Sequence, residues 1–178
     1  MAAEDSGWTG GMKLRSPPLI TIRNGQRSVL FSTCNLQRFA AIACKLAWRS
    51  RRPKSEIGSL NQIHVLVVSD RRMAVLHKQF CGVPGPTDVL TFQHGEIVIS
   101  ADTAAMQARV FGTNVTAEIQ LYLLHGLLHL AGFDDATPSR RRQMRQLQKR
   151  FMTTVLRSGR KRKPPSAVST ALSRTSSG

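Results

Sequence analysis

Between Asn114 and Gly132 the apolar residues Ile119, Leu123, Leu124, Leu127, Leu128 and Leu130 fall almost all the way round a helix. A helix with no wet face belongs in the interior. Other stretches keep one polar side. Leu36, Phe39, Ala40, Ala43, Cys44 and Ala47 recur at helical spacing behind Asn35, which predicts a helix to about Trp48 with Asn35 as its N-cap. Ser69 or Asp70 caps a short helix carrying Met73, Leu76 and Phe80, and Ser100 opens another that runs to about Val110. Asn114 or Thr116 caps the apolar helix. Thr137-Pro138 starts a last helix, with Met144, Leu147, Phe151 and Val155 on its inner side.

Strand patterns fill the gaps. Leu19–Arg23 is a short β-branched run ending at the turn signal Asn24-Gly25, and Gln62–Ser69 reads as a second strand. Thr87–Phe92 and Glu96–Ser100 read as two more, joined through Gln93-His94-Gly95. The elements mix without regular alternation, so the expected class is α+β: a small mixed sheet of about four strands, about five helices and a central buried helix. One domain is expected over residues 19–157. Residues 1–18, rich in Gly, Ser and Pro, predict a flexible lead-in, and residues 158–178 a disordered basic tail.

Charge changes the picture more than length does. Twenty-six Lys and Arg against ten Asp and Glu give +16 and a pI near 11.5, which favours polyanionic partners, nucleic acid first. From Ala136 to Gly178 there are twelve basic residues and no acidic one, so phosphate contact is assigned to the last helix and tail. An aromatic content of 6% argues against stacking on many bases. Three cysteines without a CxxC pair argue against a disulfide framework. No run of about 18 apolar residues exists, and a cytoplasmic, unexported protein with no membrane partner is expected.

The chemistry sits on the apolar helix. His125 and His129 are four residues apart, so both imidazoles share one face and can reach a single metal ion. Gly132 ends the helix and returns Asp134 or Asp135 to the same point. Two histidines and a carboxylate with an open fourth position form the ligand count of a catalytic zinc site. The residue after His125 is Gly126, where a helical zinc peptidase needs its glutamate base, which disfavours that reading. His64, His77 and His94 are read singly as structural or solvated.

The run Leu124-His125-Gly126-Leu127-Leu128-His129-Leu130-Ala131-Gly132-Phe133-Asp134 resembles the signature of the YbeY family of metal-dependent endoribonucleases. Pro86-Thr87-Asp88-Val89-Leu90-Thr91-Phe92, followed by Gly95-Glu96-Ile97-Val98-Ile99, resembles its second block. The resemblance implies a zinc-binding α+β fold with one Zn²⁺ per chain. It further implies single-strand-specific RNA cleavage in 3′-end maturation of small-subunit (16S) ribosomal RNA and in ribosome quality control, with the small ribosomal subunit as a partner.

Two positions depart from the family pattern. Asp135 stands where the family has its third histidine ligand, so the expected ligands are His125, His129 and Asp135, with Asp134 orienting a ligand from behind. An anion in that place lowers the site charge by one and makes a bound water less acidic than three imidazoles would. Cys81 precedes Gly82 where the family has arginine, so Arg71 or Arg72 is expected to stabilise the phosphate instead, and Cys81 is read as a small buried apolar residue. The alternative function is a non-catalytic ribosome- or RNA-binding factor with structural zinc.

Overall fold

The computed structural model describes residues 16–160. Strands β1 (Leu19–Asn24), β2 (Gln62–Val68), β3 (Val89–Phe92) and β4 (Glu96–Ser100) form one sheet in the order β1-β2-β4-β3. The first three neighbours are parallel and β3 is an antiparallel edge. Helices α1 (Thr33–Arg49), α2 (Asp70–Cys81), α3 (Ala101–Phe111), α4 (Val115–Leu130) and α5 (Pro138–Arg160), with a 3₁₀ turn at Glu56–Gly58, complete the α+β architecture. The expected lead-in falls almost wholly outside the described residues. Helix α5 continues to Arg160, and the rest of the expected tail also lies outside them.

Strand alternation sorts the core into two layers. Ile20 pairs with Ile63, Val65 with Ile97 and Val67 with Ile99, so these side chains share one face of the sheet. That face packs on α1, α4 and α5 in one cluster. The intervening Val68, Leu90 and Val98 point the other way and meet Met73 of α2. Helix α4 is the pivot: Leu123, Leu124, Leu127 and Leu128 are wholly buried. Each such side chain contributes roughly 1.5–3 kcal/mol by leaving water, so α4 is fixed against the sheet.

Helix starts differ from expectation at two places: Ser69 precedes α2 without a side-chain capping bond, and α1 starts earlier than expected. Helix α1 begins at Thr33 behind Ser32, whose Oγ accepts from the Asn35 N–H at 3.2 Å. Asn35 is therefore already inside the first turn, where its Oδ1 accepts from Arg38. Asn114 caps α4 through its Oδ1, accepting from the Ala117 N–H at 2.9 Å, and Ser100 caps α3. Among the described residues no helix is long and apolar enough to cross a membrane.

Candidate metal centre

Position 126 explains why the histidines sit where they do. A Cβ on Gly126 would lie 2.8 Å from Thr91 Oγ1 and 3.0 Å from Ile97 Cγ2, so only glycine lets α4 lie this close to β3 and β4. A glutamate there would have to enter the sheet. The neighbouring His125 is turned out of the sheet contact and His129 lies one turn on, their ring centroids 4.5 Å apart and their planes at 86°.

The turn behind them is built by backbone hydrogen bonds. Ala131 closes α4, and Gly132 adopts a left-handed φ of 85°. Its N–H donates to His129 O and that of Phe133 to Leu128 O, the paired bonds of a Schellman ending. The Arg52 N–H donates to Ala131 O at 2.9 Å, and the Arg52 guanidinium lies over the Phe133 ring at 4.7 Å. The basic loop after α1 thus holds the end of the histidine helix.

This turn separates the two aspartates. Asp134 Oδ1 accepts from the Ala136 N–H, and both its oxygens accept from Arg140 Nη1 at 3.2 and 3.0 Å. Desolvation pulls its pKa upward, but the Ala136 N–H and the Arg140 guanidinium outweigh it and hold the carboxyl below its ordinary value. Asp135 turns inward instead, with Oδ2 3.8 Å from His125 Nε2.

His125 Nε2 and His129 Nε2 are 2.9 Å apart, and one ligand atom each of His125, His129 and Asp135 lies within 4.8 Å of the others. Ligands about 2.0–2.1 Å from a tetrahedral ion are roughly 3.3 Å from one another, so the separations of 2.9 and 3.8 Å straddle that spacing. Two facing imidazole nitrogens have one proton at most to share between them, whereas a cation satisfies both lone pairs. The group can hold a metal ion, and its nitrogen and oxygen donors suit several first-row divalent ions. Burial first, then the neighbouring His129, lower the pKa of His125 against the opposing pull of Asp135 and Asp88. That keeps the ring in its neutral, ligating form.

The histidines open into a cavity of about 440 Å³ lined also by Glu56, Val89, Thr91, Gln93, Phe133 and Asp134. Glu56 and Gln93 were not singled out by sequence, since neither belongs to a spaced pattern; they arrive through the 3₁₀ turn and the end of the edge strand. Arg71 and Arg72 do not line the cavity. They are exposed on the first turn of α2, which packs on the opposite sheet face. Cys81 is exposed rather than buried, because it ends α2 beside the left-handed Gly82, where the chain leaves the sheet. His64 and His94 are exposed and His77 is half-buried, and they bond to Thr21, Glu96 and Gly85 O respectively.

Comparison with known proteins converges on the same segment. The family model described as Endoribonuclease YbeY matches residues 21–156. Proteins named Endoribonuclease YbeY from Beutenbergia cavernae and Kineococcus radiotolerans are each 35% identical to the chain, over 112 and 127 residues. The alignments cover 53% of this chain and 75% of the first, and 61% and 73% for the second. A solution structure of a Thermotoga maritima protein superposes with a TM-score of 0.57 at 28% identity, covering 88% of this chain and 100% of that one. With both histidines and the turn behind them inside the matched span, the chain belongs to the YbeY family.

Proposed function

We propose that the protein is a metal-dependent endoribonuclease that cleaves single-stranded RNA, with His125, His129 and Asp135 holding one Zn²⁺. The observation that carries this reading is the convergence of those three side chains, of which the two histidines line an open cavity, in a chain of charge +16. A divalent ion held by these residues would supply Lewis acidity and lower the pKa of a water. Glu56 supplies a carboxylate to the lining of the same cavity and would serve there as the proton acceptor. Arg52 and Arg140 stand at the rim, against Phe133 and Asp134, and steer the phosphodiester inward. Exposed Arg141, Arg142 and Arg145 on α5 extend the basic surface, with Gln143 tied to Arg52 at 3.0 Å. Family membership supports small-subunit ribosomal RNA 3′-end maturation and ribosome quality control in the cytoplasm as the biological setting, with the small subunit as partner. The same membership and the position of the site support a single catalytic domain over residues 19–157.

The test measures bound metal in the natural chain and in His129→Ala, then cleavage of single-stranded RNA with and without chelator. Loss of metal and of cleavage together is expected; unchanged metal content in the variant would overturn the ligand assignment. Two observations favour a second reading, a non-catalytic RNA-binding factor with structural zinc: among the described residues no Lys or Arg lines the cavity, and Cys81 stands where the family pattern has arginine. Asp135→Ala separates the two. On the first reading it abolishes cleavage while RNA affinity survives; on the second there is no cleavage to lose.

A further inference from the structure

The edge strand beside the metal cavity has a second chemically distinct side. Val89 and Thr91 of β3 line the cavity, so the alternate residues Leu90 and Phe92 point to the opposite face. There the Phe92 ring meets Phe80 of α2 edge-on, centroids 4.9 Å apart, and stacks on His94 at 5.6 Å with the planes 29° apart. The outer members are open to solvent: Phe80 is 56% exposed and the His94 side chain 68%. The next segment of chain adds exposed Val83, in a loop tied back by a hydrogen bond between His77 Nδ1 and Gly85 O at 2.9 Å. Because β3 is the sheet edge, no further strand among the described residues separates this aromatic shelf from the cavity mouth.

We propose that Phe80, Phe92 and His94 form a stacking platform for one unpaired base of the RNA strand whose phosphodiester occupies the metal cavity. The inference rests on the endoribonuclease reading and adds the element that selects single strands. An extended polynucleotide crossing the free edge of β3 presents a phosphate to one side and a base to the other. A base in a duplex already has both faces covered by its neighbours, and it cannot reach these rings without leaving the helix. The platform is small, in keeping with a 6% aromatic content, so it takes one base rather than a run. The occupant is a nucleobase rather than an apolar protein segment because the chain carries a strong positive surplus, with exposed Arg141, Arg142 and Arg145 on α5 to hold an anionic backbone.

The test is binding, without turnover, of a fluorescein-labelled oligoadenylate to the chelator-treated full chain. A matched oligomer with abasic sites keeps the phosphates and removes the rings. The double variant Phe80→Ala/His94→Ala avoids Phe92, which packs against the small core beneath it. It is expected to weaken binding of the oligoadenylate about tenfold, leave the abasic oligomer unaffected and keep the salt dependence of the natural chain. Phe80→Tyr/His94→Phe keeps the rings and is expected to bind as the natural chain does. Equal affinity of natural chain and alanine variant for the oligoadenylate overturns the platform, as does an equal loss for both oligomers. A natural chain that binds neither oligomer overturns the platform and the RNA reading together, whereas cleavage that persists with an indifferent alanine variant overturns the platform alone.

Discussion

Replacing Gly126 by alanine sets two opposed effects against each other, and the structure says which wins. In an exposed helix the change would stabilise by about 1 kcal/mol, because glycine loses more backbone freedom than alanine on folding. Here the new methyl would stand 2.8 Å from Thr91 Oγ1 and 3.0 and 3.2 Å from Ile97 Cγ2 and Cδ1. The first distance is shorter than real Cβ contacts, and Ile97 is wholly buried between β2 and β3, so it has nowhere to retreat. Overpacking of this kind costs about 1–3 kcal/mol, which exceeds the helix gain at the middle of its range. We expect Gly126→Ala to lose about 1 kcal/mol net, a fall in Tm of roughly 2–4 °C for a chain of this size. Thr91→Ala removes the closest atom, so Gly126→Ala in that background should lose less than in the natural chain, a coupling that a double-mutant cycle measures. Urea unfolding of the four proteins, all freed of metal by chelator, gives the values. A Gly126→Ala chain more stable than the natural one would refute the argument that helix and sheet touch at this residue.

Three further outcomes follow from charge and burial. The folded pKa of His125 is lowered from an ordinary value of 6.5, so the unfolded chain takes up its proton first as pH falls. The metal-free protein should therefore lose stability from about pH 6.5 downward until the folded pKa is passed, and His125→Gln should flatten that part of the curve; identical slopes in urea titrations would contradict the burial argument. Burial pushes the Cys44 thiol up to about 11, against a smaller opposing pull from Lys45, whereas Cys34 and Cys81 are exposed. Iodoacetamide at neutral pH should modify Cys34 and Cys81 within the time that Cys44 stays intact by mass spectrometry, and early labelling of Cys44 would show that α1 is not packed as described. Neutralising Arg141, Arg142 and Arg145 of α5 together should reduce the slope of log affinity for single-stranded RNA against log salt by about 2, since each lost phosphate contact accounts for about 0.7. An unchanged slope would remove α5 from the RNA surface.

Local periodicity determined much of this protein. The four-residue interval between His125 and His129 puts both rings on one face of the helix, where their Nε2 atoms lie 2.9 Å apart, and the apolar girdle around them requires burial. Gly132 ends the helix because a left-handed residue is needed there, and the strand runs and most caps follow from equally short-range preferences. Even so, Ser32 and not Asn35 caps α1, since both suit a cap and the side-chain bond to the Asn35 N–H decides between them.

Contacts between segments distant in the chain decided the rest. One choice is short-range: Arg140, only six residues on at the start of α5, claims Asp134 and leaves Asp135 to join the histidines. Arg71 and Arg72 stand away from the cavity, and Cys81 is exposed, because α2 packs on the sheet face opposite α4. Glu56 and Gln93 reach the cavity only through the strand order β1-β2-β4-β3. A sequence pattern records which side of an element seeks cover, but the covering partner is set by long-range packing, so the histidine pair and the aspartate behind its turn were legible in the chain and Glu56 and Gln93 were not.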